Sequence, residues 1–336
     1  MKQLWCLAGT MEFTAPSAPE QAEALMPVQT SDFGQDLLYI LKKAVNALHP
    51  DLLAAAGVCL SLIAITLLVS VLKRFSGKAE KTVVLSGVVT AGLLLLKESN
   101  ALINLAAETV RSISEYGKLL LPVLTGAMAA EGGGIASAAL YAGTAFFDAF
   151  LSGLIATLLV PMVYMFLVLS LANSATGENA LKSMADLIKS AMTWSLKMIL
   201  YIFTAYMGIT GVVSGTADAA ALKATKLTIS GMIPVVGGIL SDASEAVIVG
   251  AGVMKNAVGI YGLLALCAIL LSPFLKIGVQ YLLLKATAAV CDMLDAKEIS
   301  GVVKAFCGGM GILLGMTGAV CMMQLISTVC FMKGFQ

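Results

Sequence analysis

The sequence predicts an all-α protein that crosses a membrane repeatedly, a polytopic transmembrane helical bundle with about seven spans, within a range of about six to eight. Of its 336 residues, 59% are apolar and only 12% are charged, whereas soluble domains carry about 45–50% apolar and roughly a quarter charged residues. Charge-free runs of about 20 residues recur, each long enough to cross about 30 Å of hydrocarbon. This composition excludes an ordinary soluble protein and predicts a lipid bilayer as the solvent. The formal charge of +1 lacks the basic excess that nucleic-acid binding requires.

The first 50 residues predict a polar N-terminal arm followed by an amphipathic helix. Residues 11–35 are rich in Pro, Ser, Thr and Gln without a sustained period, so we expect a flexible segment. Residues 36–48 place Leu37, Leu38, Leu41, Val45 and Leu48 on one helical face. Such a helix either lies along the membrane surface or packs as a small cap, and the sequence leaves both open. The apolar stretch in residues 1–10 is too brief for a signal peptide, so we expect none at this start.

Residues 51–98 predict two transmembrane helices. Residues 52–72 are free of charge and form the first span, and the shorter apolar run 82–96 forms the second. The loop between them, residues 73–81, carries four basic side chains and one acidic one. The positive-inside rule therefore places this loop in the cytoplasm and the N-terminus outside.

The apolar segment 119–130 predicts a broken or re-entrant element. It follows an amphipathic helix, residues 99–118, that is too polar to span. Proline and glycine interrupt or close the segment at Pro122, Gly126, Gly132, Gly133 and Gly134. Irregular backbone survives at membrane depth only where it lines a cavity or is packed in protein, so these residues are candidates for a pore or midplane site.

The stretch from residue 135 to residue 177 carries one charge, Asp148, and is too long for a single span. It predicts two spans that meet near residues 148–153, the second of which is kinked by Pro161. An amphipathic piece and a clear span, residues 198–217, follow. Lys182, Lys189 and Lys197 favour the cytoplasm, which requires that one of the preceding segments does not cross.

The second half repeats this order of elements. A second broken segment carries Pro234, Gly237 and Gly238, and spans are predicted at 256–275, more weakly at 277–291, and at 305–332. Pro122 and Pro234 lie 112 residues apart in similar short strings. Either the chain is duplicated or the strings match by chance. With three spans in each copy, the two copies would have opposite orientation, an inverted repeat.

The predicted division of the chain is therefore an arm and helix at 1–50, two transmembrane helices at 51–98, and membrane repeats at 99–214 and 215–336. Charges lie within or beside apolar segments at Asp148, Lys197, Lys255, Lys276 and Lys285. They form a polar pathway, with Asp148 and Lys255 as candidate pore residues, or the lysines snorkel and Asp148 lies in a turn. Small residues predict close helix packing at Gly211, Gly215, Gly311 and Gly315.

Catalytic signatures are missing from the sequence. His49 is the single histidine, and neither a phosphate-binding GxxxxGK[ST] loop nor a CxxC pair occurs. We therefore expect no enzymatic activity, no metal site built on histidine or cysteine, and no cofactor.

One part of the second half resembles a known family. The run from Gly215-Thr216-Ala217-Asp218 through Ile233-Pro234-Val235-Val236-Gly237-Gly238 to Lys255-Asn256-Ala257-Val258-Gly259 is similar to stage III sporulation protein AE of spore-forming Firmicutes. The likeness covers about residues 80–335 and departs at the N-terminus, where family members usually carry a signal sequence. The family offers no catalytic residues to transfer.

The resemblance implies a polytopic protein of the mother-cell membrane around the forespore. It would be a non-enzymatic subunit of a transenvelope channel, with the other membrane and ring-forming subunits of that complex and a cytoplasmic ATPase as partners. The alternative, from the duplication and the intramembrane Asp148, is a secondary transporter or permease for a small solute.

Overall fold

A computed structural model of the chain describes residues 16–27, 33–130, 135–209 and 257–333. Within these ranges every regular element is helical, which confirms the all-α class. The α-helices are α1 (Glu20–Glu23), α2 (Phe33–Ala47), α3 (His49–Phe75), α4 (Glu80–Ala130), α5 (Ile135–Leu154), α6 (Val160–Thr176), α7 (Asn179–Ile209), α8 (Ala257–Met293) and α9 (Lys297–Lys333).

Five helical segments in the described ranges are long and apolar enough to cross a membrane. They are His49–Phe75, Gly77–Thr125, Gly143–Thr176, Val258–Met293 and Lys297–Phe331. The membrane bundle is thus supported by length and composition, whereas the predicted number of about seven spans is not confirmed.

Helix α4 is continuous where the sequence predicts three separate pieces. It passes without interruption through the predicted domain boundary at residue 98 and through Pro122. Proline removes one backbone hydrogen bond, but Leu120, Leu121 and Leu124 around it are at most 1% exposed, so packing holds the helix on both sides of Pro122. The predicted break before residue 130 is therefore wrong, and Gly132–Gly134 lie outside the described residues.

The predicted turn near residues 148–153 is also absent. Helix α5 continues through a π-helical turn, Ile155–Leu159, directly into α6. This wider turn immediately precedes Pro161, whose ring would clash with the carbonyl four residues earlier in a regular α-helix. Similarly, α8 passes through Pro273 without a break, so the two spans predicted at 256–275 and 277–291 are one helix.

Two helical hairpins follow from these continuous helices. The α6–α7 turn contains Gly177 in a left-handed conformation, φ 72°, and its N–H donates to the Asn173 carbonyl at 2.7 Å. The α8–α9 turn contains Asp295 at φ 54°, and the Ala296 N–H donates to the Cys291 carbonyl at 3.1 Å. A left-handed residue after the last helical turn ends a helix by satisfying its free carbonyls.

Glycine contacts on α9 show the direction of the neighbouring helices. A Cβ atom at Gly301 would lie 3.7 Å from Ser174, and one at Gly309 would lie 2.8 Å from Leu167. The residue numbers rise on α9 while they fall on α6, so the two helices are antiparallel. Because α8 and α9 form a hairpin, α6 and α8 run in the same direction.

Contacts between α7 and α9 show the relative direction of a second pair of helices. Cβ atoms at Gly308 and Gly315 of α9 would lie 3.8 Å from Lys189 and 3.5 Å from Leu196, respectively. Both numbers rise together, so α7 and α9 are parallel. The corresponding helices of the two predicted repeats therefore have the same orientation, and the described helices do not confirm the inverted repeat. The expected inversion depended on three spans per copy, and each copy loses one span where two merge into a single helix.

Three of the described turns, α3–α4, α6–α7 and α8–α9, gather at one end of the bundle. The Ser70 hydroxyl near the end of α3 donates to the Leu294 carbonyl at 3.3 Å, and a cavity of about 320 Å³ between Lys73, Arg74 and the α8–α9 turn connects the same elements. The α6–α7 turn lies at this end too, because Ser174 adjoins Gly301. Lys182 at the start of α7 and the basic 73–81 loop are thus on one side, which agrees with the positive-inside rule.

Helix α9 lies at the centre of the bundle. It contacts α4, α5, α6, α7 and α8, and 89% of its most apolar stretch is buried, compared with 22% for α3. The other helices therefore separate α9 from its surroundings, whereas α3 lies at the edge.

The N-terminal region is more ordered than predicted. Residues 16–27 pack on the bundle through Ala18, Ala22, Leu25 and Met26, each at most 7% exposed, so the prediction of a flexible arm is wrong for this part. Small and apolar side chains three or four residues apart fill the space beside α4 and α8. Helix α2 packs on α8 as a cap, and it buries Phe33, Ile40 and Ala44 while the predicted apolar face remains largely exposed: Leu38, Leu41 and Val45.

Candidate functional site

Polar side chains line one face of α5 inside the bundle. Thr144, Asp148 and Ser152 are four residues apart, so they lie above one another on one helical face. Each is at most 1% exposed. The opposite face carries Phe146 and Phe150, which are 67% and 53% exposed. The polar face of α5 thus points into the protein and its aromatic face points outward.

Helix α9 supplies the facing polar side chains. Gln324, Ser327 and Thr328 occupy neighbouring turns and are at most 1% exposed. The Ser327 hydroxyl is close enough to the Asp148 carboxyl to interact electrostatically. We refer to Asp148, Ser152, Gln324 and Ser327 as the Asp148 cluster.

The Asp148 cluster contains every buried side-chain N or O atom in the described residues that lacks a hydrogen-bond partner. These are the atoms Asp148 Oδ1 and Oδ2, Ser152 Oγ, Gln324 Oε1 and Ser327 Oγ. A buried polar atom without a partner costs about 1–3 kcal/mol, so native proteins contain few of them. These five oxygens belong to neighbouring turns of two helices in contact, α5 and α9, so this part of their interface is polar without being internally satisfied.

Helix α7 closes one side of this region. The Thr144 hydroxyl and the Tyr206 hydroxyl are 3.4 Å apart, and the rings of Phe147 and Tyr206 stack with centroids separated by 4.1 Å. Tyr206 reaches α5 because Gly143 has no side chain to displace its hydroxyl. Helices α7 and α9 therefore both contact the polar face of α5.

Helix α4 closes another side. The carboxamide of Gln324 lies directly against α4 at Gly117, where any side chain would collide with it. The absence of a Cβ at Gly117 therefore positions the Gln324 amide.

Of the predicted site residues, the structure places only Asp148 in this cluster. Pro122 is exposed on the surface of α4, and Gly126 lies in the backbone of the same helix. Gly311 and Gly315 pack against Tyr281 of α8 and Leu196 of α7. The remaining predicted residues fall outside the described ranges: Gly132, Gly133, Gly134, Gly211, Gly215, Pro234, Gly237, Gly238 and Lys255.

Two lysines predicted at the rims of spans lie at the bundle surface. Lys276 Nζ is 3.1 Å from Asp51 Oδ2, and its side chain is 35% exposed. Lys285 Nζ lies 5.9 Å from the centroid of the Tyr281 ring. Their positions fit the snorkelling alternative rather than a buried pathway.

The sequence contained a signal for part of the cluster. Thr144 and Ser152 share the four-residue spacing of Asp148, so the face could have been identified from α5 alone. Gln324 and Ser327 lie about 180 residues away along the chain, and nothing in the sequence pairs them with Asp148. In the described ranges no group of three or more His, Cys, Asp or Glu side chains could hold a metal ion, so an oxygen site of this kind depends on hydroxyl and amide groups.

A family comparison and a comparison with individual proteins identify the same family. A protein-family model described as Stage III sporulation protein AE matches residues 22–334. Stage III sporulation protein AE of Bacillus subtilis (strain 168) is 27% identical over 208 residues, which are 62% of this chain and 52% of that protein. The aligned region thus spans about half the length of that relative. No solved structure matches the chain.

Proposed function

Because the chain belongs to the stage III sporulation protein AE family, we propose that it is a non-enzymatic membrane subunit of a transenvelope channel between mother cell and forespore. The observation that carries the proposal is the family match over residues 22–334. Five helices suited to a bilayer support the membrane location.

The proposed place is the mother-cell membrane around the forespore. The partners would be the other membrane and ring-forming subunits of the complex and its cytoplasmic ATPase. The end of the bundle where the turns gather supports this arrangement, because it presents exposed charged side chains such as Lys297 and Asp295, 83% and 82% exposed. A cytoplasmic partner would dock at this end.

Deletion of the gene tests the role. We expect the number of heat-resistant spores to fall by orders of magnitude in the deletion strain, and late forespore gene expression to be lost. The reason is that the proposed channel would be incomplete without this subunit. The measurements are the spore titre after heating and a forespore reporter, and a second copy of the gene should restore both. Normal sporulation in the deletion strain would exclude the proposal.

A secondary transporter is the second candidate, and two observations favour it. The Asp148 cluster provides a buried polar site between helices, which is where transporters bind their substrates. In addition, Pro161 and Pro273 are 112 residues apart, the same separation as Pro122 and Pro234. Pro161 and Pro273 also lie in helices that run in the same direction, so a duplication would be parallel.

The substitution Asp148→Asn distinguishes the two candidates. A transporter should lose solute flux in proteoliposomes while the protein remains folded, because Asp148 would carry the charge that binds the solute. A channel subunit should retain its partners and support sporulation with the same substitution. The measurements are solute uptake by the purified variant and the spore titre of the deletion strain that carries it. A variant that loses sporulation and partner binding but keeps wild-type flux would contradict the expectations of both candidates.

A further inference from the structure

We propose that the Asp148 cluster binds a single sodium ion between α5 and α9. The inference is independent of the sporulation role, because ion binding is a property of the chain itself.

An ionised Asp148 carboxyl would require a counter-ion, and the alternative is a bound proton. The carboxyl is 1% exposed, and the ion pairs of the described residues lie elsewhere, at Lys73, Lys276, Lys297 and Lys304. An isolated carboxylate in such surroundings is strongly unfavourable. A monovalent cation makes the site neutral, whereas a divalent cation would leave a buried positive charge.

The unpaired atoms indicate which monovalent cation. All five are oxygens: two from Asp148, one from each serine and one from Gln324. A bound proton would satisfy one carboxyl oxygen and one acceptor and would leave others unpaired. A hard metal cation draws several carboxylate, hydroxyl and carbonyl oxygens together at once. Sodium therefore accounts for more of the unpaired oxygens than a proton does.

The ligands are presented by long helices. Ser152 lies one turn from Asp148 on α5, and Gln324 lies one turn before Ser327 on α9. Helix α9 is the central helix, and Gln324 is held against α4 at Gly117. Ligands on long, packed helices need little reordering when an ion binds, so binding should tie α5 to the centre of the bundle and stabilise the folded state.

Thermal unfolding of the purified full chain in detergent tests the site. NaCl replaces choline chloride at constant ionic strength, and a parallel series uses KCl. Above Kd we expect Tm to rise with the logarithm of the sodium concentration, by about 5 °C at roughly 100 times Kd, and to rise less with potassium. Equilibrium binding of radioactive sodium should saturate at one ion per chain.

Two variants and a matched control complete the test. Asp148→Asn should abolish the sodium-dependent rise in Tm, and Ser327→Ala should weaken sodium binding about tenfold. Asp186→Asn makes the same chemical change at an exposed position of α7 and should keep the full rise. If Asp148→Asn does not fold, the loss of affinity in Ser327→Ala and in Ser152→Ala tests the site.

Two results would overturn the inference. The first is that sodium does not raise Tm in the wild type, or raises it equally in the wild type and in Asp148→Asn. An equal rise in the wild type and in both serine variants would have the same meaning. The second is a Tm that depends on pH but not on sodium and loses this dependence in Asp148→Asn, which would assign the cluster to a proton.

Discussion

Cysteines introduced at Ala175 and Lys297 should react with a membrane-impermeant maleimide from the same side of the membrane. Ala175 lies at the end of α6 and Lys297 at the start of α9, and these ends adjoin through Ser174 and Gly301. Both positions are at the end of the bundle where the turns gather. Because the basic 73–81 loop is there too, we expect the side to be the cytoplasm.

Labelling in intact cells and in inverted vesicles measures this arrangement. The background is a functional chain without native cysteines, and His49→Cys, at the opposite end of the α3 span, is the control that should label from the other side. An inverted repeat requires Ala175 and Lys297 to label from opposite sides. That outcome would contradict the parallel α6–α8 and α7–α9 orientations, and labelling is all or none, so the result is decisive.

The substitution Gly309→Leu should remove the folded protein from the membrane. A Cβ atom at Gly309 would already be 2.8 Å from Leu167 Cδ2 and 3.6 Å from Val163 Cγ1, and both of these α6 side chains are 0% exposed. The larger leucine has no space to enter, and overpacking at a closed interface costs about 3 kcal/mol. We expect loss of accumulated protein and a fall in heat-resistant spores that approaches the deletion.

Gly57→Leu is the matched control for Gly309→Leu. Gly57 is exposed on α3, and a Cβ atom there meets nothing within 4 Å. The additional leucine would face lipid, so protein level and spore titre should remain at wild-type values. Equal loss in both variants would show that any leucine in a membrane helix is harmful, and equal tolerance would show that α6 and α9 are not packed as described.

The class of the fold could be predicted from the sequence, because the apolar composition and the length of the charge-free runs are set by the lipid bilayer and not by how the helices pack. The number and direction of the spans could not. The sequence predicts breaks around Pro122, near residues 148–153 and after Pro273, whereas neighbouring helices or a π-helical turn keep the backbone helical through each of these places. In each half of the chain, two predicted spans merge into one helix. The number of spans in each half therefore changes from odd to even, which changes the expected relative orientation of the two halves.

The sequence likewise predicted only part of the candidate site. A lone charge in an apolar stretch identifies Asp148 because the cost of burying it does not depend on the fold. Its partners Gln324 and Ser327 carry no charge, and serine and glutamine occur in many packed helices. Only the arrangement of α5 against α9 brings them together, and that arrangement is a property of tertiary packing.

The central position of α9 also has a consequence for biogenesis. During translation, α9 is synthesised after every helix that it contacts, namely α4, α5, α6, α7 and α8. Until it inserts, these helices surround an unfilled space and offer their inner faces to chaperones and to membrane proteases. The lifetime of the nascent chain should therefore be set by how quickly α9 leaves the ribosome and enters the bilayer, and ribosome stalling before residue 297 should yield a degraded product rather than a stable intermediate.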